Sequence, residues 1–121
     1  MLFYLVDDHQ MFAEALKNII EGFGYNCTVS VFPDARPALE KLKSEKPDLI
    51  ILDLEMEGMG GTDMLKILSQ HGLDIPVLVC SGNLTPLNMA EIKEAGARGF
   101  LRKSESIAQV KEAIIAVVEG G

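Results

Sequence analysis

The stretch that decides the fold is LFYLVDDHQ, residues 2–10, in which consecutive apolar residues run directly into a pair of aspartates, Asp7 and Asp8. The pattern returns in LIILDLE, residues 49–55, where an apolar run ends at Asp53. A short, continuous apolar run is typical of a strand that is covered on both faces, as in a parallel sheet. Like charges repel, so acids that follow two such strands need a partner that holds them together.

Apolar runs and amphipathic segments alternate along the whole chain. The apolar runs predict strands at residues 2–6, 27–31, 49–52, 77–80 and 99–101. Each strand is followed by a segment with the apolar spacing of a helix. Helix N-caps are predicted at Asp34, Thr62, Thr85 and, through a capping box with Gln109, at Ser106. No internal repeat or linker interrupts the pattern, so residues 1–121 are predicted to form one domain of the α/β class, with a (βα)5 chain order.

The strand patterns also predict an order within the sheet. The first, third and fourth strands are continuously apolar, as expected for central strands, whereas the second alternates and the fifth is short. The doubly wound, flavodoxin-like order 2-1-3-4-5 puts those last two strands at the edges. In this order the first and third strands are neighbours at the switch point, where ligands bind beyond the carboxyl ends of the strands. Asp7, Asp8 and Asp53 all fall at that edge.

The composition excludes several classes of protein. Hydrophobic residues make up 48% of the 121 residues, which excludes a disordered chain and suffices for one sizeable core. The net charge of −7 disfavours direct binding of nucleic acid by this domain. No apolar run approaches the ~20 residues of a membrane span, so no membrane contact is expected. The N-terminus lacks the basic segment and cleavage site of a signal peptide, and the expected location is therefore the cytoplasm.

The residues at the strand ends predict a phosphoryl-transfer site. Three carboxylates at one edge raise each other's pKa values unless a cation lies among them, and oxygen ligands without imidazole or thiolate suit Mg²⁺. Ser81 follows the fourth strand and offers a hydroxyl, while Lys103 follows the fifth and offers a positive charge. A metal, a lysine and a hydroxyl together can neutralise a phosphoryl group, and a carboxylate can itself be the nucleophile.

These residues resemble those of the response-regulator receiver domains of two-component signalling, and the resemblance covers essentially the whole chain. It rests on the pair Asp7–Asp8 and on Asp53, Ser81 and Lys103, each at the end of its own strand. The resemblance implies that Asp53 is the phosphoacceptor, attacking phosphorus on a phosphohistidine. It also implies that Lys103 pairs first with Asp53 and then with the phosphoryl oxygens.

The resemblance further implies the ion site and the switch residues. Mg²⁺ would be bound by Asp8, Asp53 and the backbone carbonyl of Glu55, with Asp7 acting mainly through water. In the family, the hydroxyl equivalent to Ser81 moves onto the phosphoryl group and an aromatic residue, here Phe100, turns inward behind it. A signalling switch of this kind is not a turnover enzyme.

The resemblance also implies partners. The phosphoryl donor would be a sensor histidine kinase or a phosphotransfer protein, and phosphorylation would favour a homodimer. VDDHQMFAEAL near the start and IAQVKEAIIAVVEGG at the end are most similar to the subfamily with a LuxR-type helix-turn-helix. The expected output is therefore transcription, through a DNA-binding domain absent from this chain.

Several of these residues also have a plain structural interpretation. Asp7 and Asp8 could simply cap the first helix, since aspartate is a favoured N-cap residue. Phe100 could be an ordinary core residue. His9 and His71 are expected at the surface, because nothing in the sequence gives them the spacing of metal ligands.

The loops contain departures from the family pattern. Glu57 stands where the family often has proline, and Glu55 lies two residues after Asp53. These acids could strengthen the attraction for a cation, slow an anionic phosphodonor, or simply be solvated. Asn83 falls where the family tunes the lifetime of the phosphoryl group.

Two other functions remain as alternatives. One is a Mg²⁺ phosphatase with an aspartyl nucleophile, in which Glu55 would imitate a second acid; multiple turnover on a phosphate ester would identify it. The other is an interaction scaffold that keeps the fold without the chemistry. Such domains typically lack one or more of the site residues, whereas this sequence has all of them.

Overall fold

Five strands alternate with five helices in the computed structural model of the chain. The structure describes residues 1–22, 26–55, 61–72, 74–82 and 85–120. The elements in chain order are β1 (Leu2–Val6), α1 (Gln10–Glu21), β2 (Thr28–Phe32), α2 (Ala35–Lys41), β3 (Leu49–Asp53), α3 (Gly61–Gln70), β4 (Val77–Ser81), α4 (Pro86–Glu94), β5 (Gly99–Arg102) and α5 (Ile107–Gly120). No helix among the described residues is long and apolar enough to cross a membrane.

The strands form one parallel sheet in the order β2-β1-β3-β4-β5, which confirms the predicted fold and strand order. All five residues of β3 and all five of β4 are buried, as their continuous apolar runs predict. The register pairs Val6 with Leu52 and Asp53 with Cys80, so β1, β3 and β4 end at nearly the same level. The residues that follow them therefore meet at one edge of the sheet.

The two faces of the sheet are covered by different helices. Successive side chains of a strand point to opposite faces, so Leu5 packs with α1 and α5, whereas Tyr4 packs with α2, α3 and α4. The alternation predicted for β2 holds only in part. Val29 is buried against α1, but Val31 on the same face is 36% exposed. This strand lies at the edge of the sheet and has a neighbouring strand on one side only.

Three of the four predicted helix caps are confirmed. The Asp34 side chain accepts a hydrogen bond from the backbone N–H of Arg36. The side chain of Thr85, which directly precedes Pro86, accepts one from the backbone N–H of Asn88. Ser106 and Gln109 form the reciprocal capping box, because each side chain accepts from the backbone N–H of the other residue.

The cap predicted at Thr62 is wrong, because α3 already includes Gly61. A Cβ atom at Gly61 would lie 2.4 Å from the backbone carbonyl oxygen of Asp53. The helix can pack this tightly against the end of β3 only because that residue has no side chain. Gly61 therefore allows α3 to pack directly against the backbone at the end of β3, where Asp53 lies.

Candidate functional site at the carboxyl edge of the sheet

Three aspartates meet beyond the ends of β1 and β3, as the sequence predicts. Asp7 directly follows β1 and Asp53 is the last residue of β3, and their side chains are 1% and 0% exposed. Asp8 is partly buried, at 28% exposure. Two fully buried carboxylates within one pocket are costly unless positive charge balances them.

Capping of α1 does not explain the aspartate pair. The N-cap residue of α1 is His9, and it makes no side-chain capping hydrogen bond. Asp7 Oδ1 accepts from the backbone N–H of His9, at 2.8 Å, which holds the turn before the helix. Neither Asp7 nor Asp8 occupies the capping position, so helix capping alone does not account for the pair.

Lys103 supplies positive charge from the opposite side of the pocket. Its Nζ lies 3.3 Å from Asp53 Oδ2 and 3.3 Å from Asp7 Oδ2. Burial lowers the pKa of Lys103, but the neighbouring carboxylates of Asp53 and Asp7 outweigh it, and the pKa lies above its ordinary value. The ammonium also stands 4.9 Å from the centre of the Phe12 ring, a cation–π contact. Lys103 therefore remains charged beside the acids.

One lysine does not fully balance the pocket. The pKa of Asp53 is raised, chiefly because burial disfavours its charged form. Two interactions lower the pKa of Asp53: the backbone N–H of Glu55 donates to Asp53 Oδ1 at 3.1 Å, and the Lys103 charge lies nearby. The charge of Asp7 raises that pKa further. The net shift is upward, so the pocket favours further positive charge.

A buried oxygen of Asp7 shows that the donor set fits a metal ion. Asp7 Oδ2 makes no hydrogen bond to any described residue, although it is buried and lies within ion-pair distance of Lys103. An unsatisfied buried carboxylate oxygen is costly, and a bound cation would remove that cost. Carboxylate oxygens are the ligands that Mg²⁺ prefers, so the aspartates fit the ion predicted from the sequence.

Ser81 lies at the edge of the same pocket, with a partner that the sequence did not indicate. It is the last residue of β4 and is 0% exposed. Its Oγ donates to Glu55 Oε1 at 2.6 Å. The Glu55 side chain is therefore not simply a solvated loop acid. Two other residues considered above, Glu57 and Asn83, lie outside the described residues.

His9 is a site residue whose role the sequence interpretation missed. Its imidazole is 55% exposed, as expected for a surface residue, but Nδ1 lies 3.1 Å from Asp7 Oδ1. The same atom is 3.4 Å from Asp8 Oδ1 and 3.4 Å from Asp53 Oδ2. The signal in the sequence was its place directly after Asp8, at the same edge of the sheet. His71, by contrast, is exposed beyond the end of α3.

Phe100 lies on β5, the edge strand next to β4. It pairs with Val79 across β4 and β5 and is partly buried against the core under α2, α3 and α4. This position is compatible with both interpretations made from the sequence, a core residue and a switch aromatic. Its role as a switch stays a prediction.

Comparison with known proteins identifies the family of this fold and pocket. A profile described as the response regulator receiver domain matches residues 3–115. The chain belongs to this family. Receiver domains are components of two-component systems, and phosphorylation and an Mg²⁺-binding acidic pocket are typical of them. The resemblance inferred from the sequence is thereby confirmed.

Individual relatives show the same family in different settings. The chain is 30% identical over 117 residues to the transcriptional regulatory protein DegU of Brevibacillus brevis, covering 97% of this chain and 50% of that protein. It is 32% identical over 110 residues to the chemotaxis protein CheY of Thermotoga maritima, covering 91% of each. The solved receiver domain of the response regulator NarL from Mycobacterium tuberculosis superposes with a TM-score of 0.89 at 27% identity, covering 99% and 97% of the two chains. The chain thus spans half the length of the DegU relative.

Proposed function

We propose that this chain is a single receiver domain that acts as a phosphorylation switch, with Asp53 accepting the phosphoryl group in an Mg²⁺-dependent reaction. One observation carries the proposal: the Asp53 carboxylate is buried at the end of β3 and faces the Lys103 ammonium at 3.3 Å. Lys103 in turn contacts Asp7. A buried nucleophile with a fixed positive charge beside it suits an anionic reactant.

The two oxygens of Asp53 have different surroundings. Oδ1 is held by the backbone N–H of Glu55, whereas Oδ2 faces Lys103. In the proposed step an Asp53 oxygen forms a bond to phosphorus as the phosphorus–nitrogen bond of a phosphohistidine breaks, and the donor histidine keeps the electron pair. Lys103 then pairs with the oxygens of the transferred group.

The ion would be held by Asp8, Asp53 and the backbone carbonyl of Glu55, with Asp7 acting mainly through water. Bound there, Mg²⁺ supplies charge neutralisation for the phosphoryl oxygens. The buried Asp7 Oδ2 and the raised pKa of Asp53, which is caused chiefly by burial, both support a need for that charge.

The proposed output begins at Ser81. Its hydroxyl must leave the Glu55 carboxylate before it can donate to a phosphoryl group on Asp53. Phe100 would then turn into the space behind it and change the surface formed by α4, β5 and α5. The changed surface would favour a homodimer and act on a LuxR-type DNA-binding domain, an output supported by the likeness to transcriptional regulators.

Receiver domains are phosphorylated by histidine kinases or phosphotransfer proteins, and the proposed donor is one of these. Since such a donor and a transcriptional output act inside the cell, the proposal includes a cytoplasmic location.

The position of Glu55 disfavours a phosphatase. Its carboxylate accepts a hydrogen bond from Ser81 and is therefore not available as a second acid for catalysis.

The test is the intact mass of the protein after incubation with a small acyl phosphate, with and without Mg²⁺. The wild type should gain one phosphoryl group only when Mg²⁺ is present, and Asp53→Asn should gain none. Asp74→Asn is the matched control, because Asp74 is 84% exposed and precedes β4, at the opposite edge of the sheet. It should be labelled like the wild type.

Other results would overturn the proposal. An adduct that persists in Asp53→Asn would identify a different acceptor. Absence of labelling by both the acyl phosphate and a phosphorylated histidine kinase would leave the scaffold function. Multiple turnover of a phosphate ester by the wild type would show a phosphatase.

A further inference from the structure

We propose that His9 is a nitrogen ligand of the divalent ion in the acidic pocket, and that it shifts the preference of the site from Mg²⁺ toward later transition-metal ions such as Co²⁺. The inference rests on the ion site of the proposed function. It goes beyond that site because an imidazole ligand changes which ion is bound best.

The distances around His9 suit a shared ion. Its Nδ1 lies 3.1 to 3.4 Å from one carboxylate oxygen each of Asp7, Asp8 and Asp53. Two ligand atoms at right angles on one octahedral ion, each at about 2.1 Å, lie about 3 Å apart. Ligand atoms of these four residues all lie within 4.8 Å of one another, so one ion can bind the set after small side-chain movements.

The contact with Lys103 concerns the same nitrogen of His9 that approaches the acids. Lys103 Nζ lies 2.7 Å from His9 Nδ1. An ammonium group has donors and no acceptor, so this contact suits the tautomer with a lone pair on Nδ1, which is also the form that can bind a metal. Asp7 Oδ1 lies 3.1 Å from this nitrogen and also accepts from the His9 backbone N–H. The nitrogen that a metal would use therefore lies between Lys103 and the acids.

A second observation indicates that an ion belongs at this position. Asp7 Oδ2 is buried and makes no hydrogen bond to any described residue. Its present ion-pair partner is the Lys103 ammonium, at 3.3 Å. A cation bound beside Asp8, Asp53 and His9 could satisfy this oxygen through a bound water and would displace the Lys103 ammonium from Nδ1. Lys103 would then be available for the phosphoryl group, so ion binding and the role proposed for Lys103 support each other.

The chemistry of the ions determines the expected selectivity. Mg²⁺ takes oxygen ligands and keeps several waters, so it gains little from an imidazole. Imidazole suits the later first-row ions, whose affinities for such sites rise from Mn²⁺ to Co²⁺. Loss of His9 should therefore weaken Co²⁺ binding strongly and Mg²⁺ binding hardly at all.

The experiment compares the full chain with two histidine variants. His9→Ser removes the imidazole but keeps a favoured N-cap residue for α1, so folding is preserved. His71→Ser is the matched control at an exposed position. The dissociation constants for Mg²⁺ and Co²⁺ are measured by calorimetry, and Mn²⁺-loaded protein is examined by pulsed electron paramagnetic resonance for coupling to a ligating imidazole nitrogen.

The expected result for His9→Ser is an affinity for Co²⁺ weaker by at least about tenfold, since loss of even an outer-shell partner has an effect of this size. The Mg²⁺ affinity should change less than about twofold. The nitrogen coupling should be present in the wild type and in His71→Ser and absent from His9→Ser. A wild type without nitrogen coupling, or equal weakening of both ions, would overturn the inference and leave the Mg²⁺ switch intact. A wild type that binds no divalent ion would overturn both.

Discussion

Replacing Gly61 by alanine tests how tightly the site is built into the fold. The added Cβ would lie 2.4 Å from the Asp53 carbonyl oxygen and 2.9 Å from the Leu54 Cα atom. Restoring an ordinary contact of roughly 3.5 Å requires the end of β3 and the start of α3 to separate by about 1 Å. The obstacles are backbone atoms, so no side-chain rotation can relieve the clash.

The clash should outweigh the better helix propensity of alanine. Overpacking of this kind costs about 3 kcal/mol at the upper end of its usual range. Alanine recovers at most about 1 kcal/mol relative to glycine in a helix. The net loss is therefore about 2 kcal/mol in the free energy of unfolding, or a drop of roughly 8 °C in Tm for a chain of this size. A 1 Å displacement of Asp53 should also slow its labelling by acyl phosphate by about tenfold to a hundredfold.

Gly82→Ala is the matched control for this prediction. A Cβ at Gly82 meets nothing within 4 Å, and its φ angle is not in the left-handed region. The control should stay within about 0.5 kcal/mol of the wild type. Thermal unfolding and the rate of mass increase with acyl phosphate are measured on all three proteins. If Gly61→Ala unfolds and labels like the wild type, the close packing of α3 on β3 is wrong.

Two further predictions concern the charges of the pocket. Burial raises the pKa of Asp53, so its stabilising contribution is present below the ordinary carboxyl pKa of about 4 and is lost as pH rises through the folded pKa. Without Mg²⁺, the stability advantage of Asp53→Asn over the wild type in urea unfolding should therefore grow as the pH rises above about 4. An advantage that is constant with pH would contradict this. Glu55→Gln weakens the charge-assisted hydrogen bond from Ser81 by about 1 kcal/mol, so acyl-phosphate labelling should become up to about fivefold faster. Slower labelling in Glu55→Gln would mean that Glu55 assists the reaction instead. Glu40→Gln is the control, because the Glu40 side chain on α2 is exposed.

Patterns that depend on neighbours along the chain were predicted well from the sequence. The continuous apolar runs that end at Asp53 and Ser81 predict buried central strands, and both are buried throughout. Once the strand order follows from those patterns, the carboxyl ends of parallel strands must meet. The meeting of Asp7, Asp53 and Lys103 was therefore predictable, because it depends on topology rather than on fine packing.

Other features depend on contacts between distant segments and were decided only by the tertiary structure. Gly61, the first described residue of α3, packs against the Asp53 carbonyl, and a local capping rule at Thr62 does not include this contact. Val31 is 36% exposed on an edge strand, and the alternating pattern of β2 does not include that position in the sheet.

The sequence by itself determined the strand order and the set of acids, lysine and serine at one edge of the sheet. Only the tertiary structure decided how those side chains pair. Ser81 donates to Glu55, and His9 approaches the aspartates. Each contact depends on the direction and the exact position of the side chains. The physical reason is that hydrophobic periodicity sets which face and which edge a residue occupies, whereas hydrogen-bond and metal-ligand geometry is set by the packed positions of all its neighbours.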